Sequence, residues 1–273
     1  MVTFPGYAGF ALSSTGASHV TSGTLCQDYS LHFKDSNAII IAVADGHGSP
    51  DHFLSDRGSR FACECAVSCI RRLVDSPTHA SGHDLENIQH EIVRTWRQRV
   101  EQDWSGIDHL SKSPYVNIWK DLGKPDPVTV YGTTLIAAAL TRHYWFGIQI
   151  GDGKCVVLCT NGEWIQPIPW DERCFLNATT SICEKGAAGL FRSCYHTELP
   201  AAIFIGSDGV DNAYPLEKNE WYLAGLYQKI LGTFSAEGIK NGTQQLRDFL
   251  PLFSAKGSGD DVSIAGIMYH AAL

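Results

Sequence analysis

Acidic residues recur at one kind of position along this chain. Asp45-Gly46-His47-Gly48, Gly151-Asp152-Gly153 and Ser207-Asp208-Gly209 each follow an apolar run, and the pair Asp260-Asp261 opens the last such run. One Asp-Gly turn is commonplace, but several at the ends of core strands suggest carboxylates that converge on one place. Carboxylates held within a few ångströms of each other repel, and must hold protons unless cations neutralise them. An oxygen-only set favours Mg²⁺ or Mn²⁺ over zinc. Two such ions can activate a water and clamp a phosphoryl group for in-line attack. The competing reading is a set of solvated turns, with Asp45 capping a following helix.

The elements that must position these acids can be read around them. Ala38-Ile39-Ile40-Ile41-Ala42-Val43-Ala44 is an unbroken apolar run rich in β-branched residues, which suits a strand covered on both faces. Gly46 and Gly48 then allow a sharp turn that holds Asp45 at the strand end. Strands are also expected over Tyr7–Ser13, Cys26–Phe33, Tyr131–Leu140, His143–Ile150, Cys155–Thr160, Glu163–Ile165, Ala201–Gly206 and Asp261–Tyr269. Thr15–Leu25 reads as a loop. Helical spacing runs from Phe61 to Val74, before Pro77, and from Leu85 to about Trp104, with further helices at Trp221–Phe234 and Thr243–Phe253. Ser105–Val128 carries no clear period. Residues 167–200 sustain neither period and read as a flap-like insertion in one domain spanning 1–273.

Composition narrows the class. Of 273 residues, 44% are hydrophobic and only 18% charged, as expected for a globular protein with a large core. The net charge of −8 argues against electrostatic binding of nucleic acid. No apolar run approaches the ~20 residues of a membrane helix. Met1–Phe10 lacks a basic region followed by an apolar core, so no signal peptide is expected. Nine cysteines with no CxxC pair then read as reduced thiols of a cytoplasmic protein.

The motifs, taken in order, resemble a known family. Asp45-Gly46-His47-Gly48, Tyr131-Gly132-Thr133-Thr134, Gly151-Asp152-Gly153, Ser207-Asp208-Gly209 and Gly259-Asp260-Asp261-Val262-Ser263 resemble the signature blocks of the protein phosphatase 2C family. Ala17-Ser18-His19 followed by Cys26-Gln27-Asp28 is similar to the opening block of its bacterial branch. The resemblance spans essentially the whole chain. It implies an α+β fold, a four-layer αββα sandwich with two central antiparallel sheets flanked by helices. It also implies hydrolysis of phosphoserine or phosphothreonine in proteins by a metal-bridged water, opposing a Ser/Thr kinase.

Site roles follow from the same resemblance. Asp45 would bridge two ions, Mg²⁺ or Mn²⁺, and the Gly46 carbonyl would bind one of them. Asp208 and Asp260 would complete the first ion's ligands, Asp28 would support the second, and Asp152 matches a position that helps hold a third, weaker ion. His47 would protonate the leaving oxygen, as an imidazole titrating near neutrality can. Three departures stand out. No arginine precedes Gln27-Asp28, which leaves His19 as the candidate phosphate contact or as a plain turn histidine. Gln27 stands where relatives carry Glu. Asp261 stands where an Asn often follows the ligand, so either acid of that pair could be the ligand; Asp260 is preferred because Asp261 begins the strand alternation. His79, His83, His90 and His109 read as solvated, and Arg57 and Arg60 as surface ion pairs or phosphate contacts. The segment from Phe175 to Thr180 resembles a substrate-facing part of the bacterial flap. Two rival functions stay open, a binding or sensing module that keeps the fold and a phosphatase of small phosphorylated metabolites.

Overall fold

Ile39, Ile41 and Val43 alternate with Ala38, Ile40, Ala42 and Ala44 along β3 (Ala38–Ala44), and both sets are fully buried. The first set packs against a facing sheet. The second packs under two helices, α2 (Ser55–Val74) and α3 (Gly82–Gly106). Burying one such isoleucine contributes roughly 2 kcal/mol, so a strand of this composition is stable only when covered on both sides. This computed structural model describes residues 6–75, 81–107, 126–175 and 178–269.

β3 is the second strand of an antiparallel sheet ordered β2-β3-β4-β5-β8, with β2 at Tyr29–Lys34, β4 at Leu135–Thr141, β5 at Trp145–Ile150 and β8 at Arg192–His196. The other antiparallel sheet is ordered β1-β10-β9-β6-β7, with β1 at Tyr7–Ser14, β6 at Lys154–Leu158, β7 at Trp164–Ile165, β9 at Ala202–Gly206 and β10 at Val262–Tyr269. Its inner face supplies Cys155, Val157, Ile203, Ile205, Ala265 and Ile267 to the core between the sheets. Its outer face carries Phe10, Phe204 and Met268 under Tyr227, Phe234 and Leu246 of α6 (Asn219–Lys256). The layers are therefore α2/α3, sheet, sheet and α6, as the family resemblance implied.

Several expectations change. Thr15–Leu25 is not all loop, because α1 occupies Ala17–Ser22. Its small polar residues carry no helical pattern; tertiary bonds hold it, Ala17 N–H to Ser254 Oγ and Ser18 N–H to the Gly259 carbonyl, and Gly23 ends it at φ +74°. Cys26–Asp28 lies outside β2, since its backbone bonds run to Asp261 and Gly46 instead. Tyr131–Thr134 precedes β4 as a turn that bridges to Gly46. The two C-terminal helices run on as one element interrupted at Gly238, whose φ of +73° breaks the helical path. Residues 167–200 are not wholly irregular, because β8 lies within them and closes the edge of the first sheet on β5. An edge strand half exposed to solvent has no clean alternation to betray it. Pro77, His79 and residues 108–125 of the unreadable segment lie outside the described residues, and Asp126 caps α4 (Pro127–Val130). Among the described residues no helix is long and apolar enough to cross a membrane, and all nine cysteines are free.

Candidate active site

Asp45 leaves the end of β3 with its backbone clamped by the Tyr131–Thr134 turn. Its N–H donates to Thr134 Oγ1 at 3.0 Å, while its carbonyl accepts from Thr133 Oγ1 at 2.7 Å and from the Thr134 N–H at 2.9 Å. The His47 N–H continues the clamp to the Gly132 carbonyl. At Gly46 a Cβ would meet the Gln27 and Ser55 carbonyl oxygens at 2.6 and 2.7 Å, so only glycine lets these three segments touch. Gln27 Nε2 donates to Ser55 Oγ at 2.7 Å and to the His47 carbonyl at 3.2 Å. A glutamate there has no hydrogen to give to that carbonyl.

The acids gather around Asp208, which opens the single-turn helix α5 (Asp208–Asp211) after β9. Burial is the main cause that raises the Asp45 carboxyl well above its ordinary range, and the charges of Asp28, Asp208 and Asp260 add to it. Burial likewise pushes Asp28 up to about 8, opposed by the Ser207 hydroxyl and reinforced by Asp261 and Asp208. Asp152 rises to about 6 through burial and the Asp208 charge. Asp260 rises for the same two reasons. The Asp208 charge therefore reaches every other predicted acidic ligand.

Two of the predicted ligands keep a buried oxygen without a hydrogen-bond partner, Oδ1 of Asp28 and Oδ1 of Asp208, as does their neighbour Asp211 at Oδ1. Their sister oxygens are bonded, Asp28 Oδ2 to Ser207 Oγ at 2.7 Å and Asp208 Oδ2 to Asn212 Nδ2 at 2.9 Å. A buried bare carboxylate oxygen is costly unless protonated or facing a cation. The donor set thus suits hard divalent ions, although among the described residues no three His, Cys, Asp or Glu side chains already form a closed cage.

Two openings flank the cluster. A cleft of about 300 Å³ is lined by Ser18, His19, Gln27, Asp45, Gly46, Asp260 and Asp261 among others. A larger groove of about 710 Å³ runs past Asp152 and Asp208 between Trp170 and Phe175 of the flap and Tyr214 and Leu216. His47 is not among the residues lining either opening. Its Nε2 lies 2.7 Å from Ser181 Oγ and its ring meets the His52 ring edge-on at 4.8 Å. Burial, then the neighbouring His52, lowers its pKa to about 4, so an imidazole expected to titrate near neutrality is neutral at pH 7.

Other predicted residues have ordinary surroundings. Arg57 pairs with Asp103 at 3.0 Å and Arg60 lies over the Phe61 ring, on the helix surface rather than in the cleft. His83 and His90 are exposed. His109, Leu176 and Asn177 lie outside the described residues. Sequence reasoning missed Ser207, Ser181 and Asp211. Asp211 is buried beside Lys154, whose Nζ is 4.0 Å away, and burial pushes its carboxyl to about 7. Ser207 stood one place before a flagged acid, which was the only sequence signal for any of them.

Comparison with known proteins agrees with the fold. A family model described as protein phosphatase 2C matches residues 15–251. Among solved structures, PppA of Pseudomonas aeruginosa is 14% identical with a TM-score of 0.60, over 98% of this chain and 99% of that one. The S. agalactiae serine/threonine phosphatase is 15% identical with a TM-score of 0.59, over 96% and 99%. The catalytic domain of the phosphatase PstP, solved with two manganese ions, is 14% identical with a TM-score of 0.56, over 96% and 98%. No curated protein sequence matches the chain.

Proposed function

The chain belongs to the protein phosphatase 2C family, and from that premise we propose that it is a divalent-cation-dependent phosphatase of phosphoserine and phosphothreonine in proteins. The observation that carries the reading is the acid cluster around Asp208, with one bare buried oxygen on Asp208 and another on Asp28. Asp45, the Gly46 carbonyl, Asp208 and Asp260 would hold one Mg²⁺ or Mn²⁺, with Asp45 shared by a second ion that Asp28 supports. Asp152 beside Asp208 would serve a third, weaker ion. Bound there, the ions would neutralise phosphoryl charge and lower the pKa of water.

The chain's own residues do the rest. Both Asp261 oxygens already have partners, the Gly16 N–H and His19 at Oδ1 and the Gln27 N–H at Oδ2, which favours Asp260 as the ligand. His19, which lines the same cleft as Asp45, contacts the substrate phosphate in place of an arginine. His47 protonates the leaving oxygen; a dianionic phosphate nearby would draw its pKa upward from about 4. The flap at 167–200 frames the groove through Trp170 and Phe175, where the protein part of a substrate would lie. Nine free thiols suit a reducing bacterial cytoplasm, and a Ser/Thr kinase would supply the substrate.

The test is hydrolysis of an aryl phosphate, then of phosphopeptides, with and without cations. Chelated protein should be inactive and regain activity with Mn²⁺ or Mg²⁺. Full activity in excess chelator overturns the reading. Hydrolysis of small phosphate esters but of no phosphopeptide would transfer it to a metabolite phosphatase.

A further inference from the structure

Asp260 and Asp261 are neighbours in sequence with opposite surroundings. Asp260 is exposed at the cleft, whereas Asp261 is 3% exposed. The Asp261 carboxylate accepts two backbone N–H groups, from Gly16 and Gln27 at 2.6 Å each, and its Oδ1 lies 3.0 Å from His19 Nδ1. We infer that Asp261 is a positioning residue for His19, gripping the imidazole by its Nδ1 edge so that the other ring nitrogen serves the phosphate of the substrate. The inference rests on the phosphatase reading above.

His19 sits in the last turn of α1, a six-residue helix with no buried residue. Among the described residues its only ring partner is Asp261. A carboxylate carries no hydrogen, so the shared hydrogen belongs to Nδ1, and both orientation and tautomer are set. A ring that carries hydrogen on both nitrogens can give one to Asp261 and the other to a phosphate oxygen. Fixing it in advance reduces the ordering cost of binding.

The same loop holds both sides of the cleft. The Gly259 carbonyl accepts from the Ser18 N–H and hydroxyl, and Ser254 Oγ accepts from the Ala17 N–H. A Cβ on Gly16 would stand 2.3 Å from the Asp260 carbonyl carbon, so α1 and the 257–261 loop touch backbone to backbone. Asp260 would serve the cations and Asp261, one residue on, meets His19, which would serve the phosphate. Adjacent acids thereby divide two tasks.

The experiment uses the full chain loaded with Mg²⁺ and inorganic phosphate as the probe. In ring-¹⁵N spectra, with His19→Gln used for assignment, His19 should carry hydrogen on Nδ1, and phosphate should shift Nε2. Kinetically, Asp261→Asn should raise both KM for an aryl phosphate and the phosphate inhibition constant about tenfold, the scale of one charge-assisted hydrogen bond, with kcat changed less than about threefold. In the His19→Gln background the same substitution should add nothing. An equal effect of Asp261→Asn with and without His19, or a fall in kcat at constant KM, overturns the proposal. So does a wild-type ring lacking hydrogen on Nδ1 or unmoved by phosphate, which decides the matter even if the Asp261 variant does not fold. Wild-type protein that binds phosphate through His19 but hydrolyses nothing would sink the phosphatase reading and leave this one standing.

Discussion

Replacing Asp28 with Asn should stabilise the cation-free protein, and most of all near pH 8. Asp28 is 5% exposed, with one oxygen bonded to Ser207 and the other buried bare. Burial, more than any charge, lifts its carboxyl from 3.8 to about 8. Between those values the folded protein holds a proton that the unfolded chain has shed. Its stability is therefore complete below about pH 4 and falls as pH rises toward 8. The slope is about 1.4 kcal/mol per pH unit, which sets a ceiling of roughly 5 kcal/mol over the window. Asp261 and Asp208 contribute to the shift, so part of it belongs to the cluster rather than to Asp28 alone. At roughly 2 °C per kcal/mol for a chain of this size, the ceiling is a Tm loss of about 10 °C. Thermal scans in excess chelator from pH 4.5 to 8.5 should show wild-type Tm falling relative to Asp28→Asn. With Mg²⁺ present the order should narrow or reverse, because the cation binds the ionised wild-type site more tightly. A wild-type Tm that runs parallel to the variant across this range would refute the reasoning.

Two further outcomes test the site and its scaffold. His47→Ala should slow hydrolysis of alkyl phosphates, whose leaving oxygen needs a proton, by roughly 10²–10⁴-fold and aryl phosphates much less; equal losses on both would remove His47 from proton donation. At Gly58, inside α2, a Cβ would stand 1.9 Å from the Tyr131 carbonyl oxygen, which is backbone and cannot swing aside. Gly58→Ala should therefore cost about 1–3 kcal/mol, read as a lower urea midpoint, and an unchanged midpoint would show that α2 does not bear on the turn that clamps Asp45.

The run from Ala38 to Ala44 was legible as a strand because composition alone demands cover on both faces, and the structure supplies it. Ile88, Ile92 and Trp96 likewise declared α3, since their spacing is the helix's own period. The strand Arg192–His196 was not legible, because an edge strand pairs on one side and its side chains are only partly covered. Nor was α1, whose hydrogen bonds lie with Ser254 and Gly259, more than 230 residues away.

The sequence by itself determined which residues end the core strands and that those residues are acids beside glycine. Both are local facts, set by apolar runs and by the backbone freedom that a turn requires. Only the tertiary structure decided how the acids differ from one another. Asp260 meets the cleft while Asp261 is consumed by Gly16, His19 and Gln27. Asp28 and Asp208 each keep a bare buried oxygen, and His47, packed against Ser181 and His52, titrates well below neutrality. Burial and long-range hydrogen bonding set these properties, and both depend on segments far apart in the chain that meet only once the two sheets have packed.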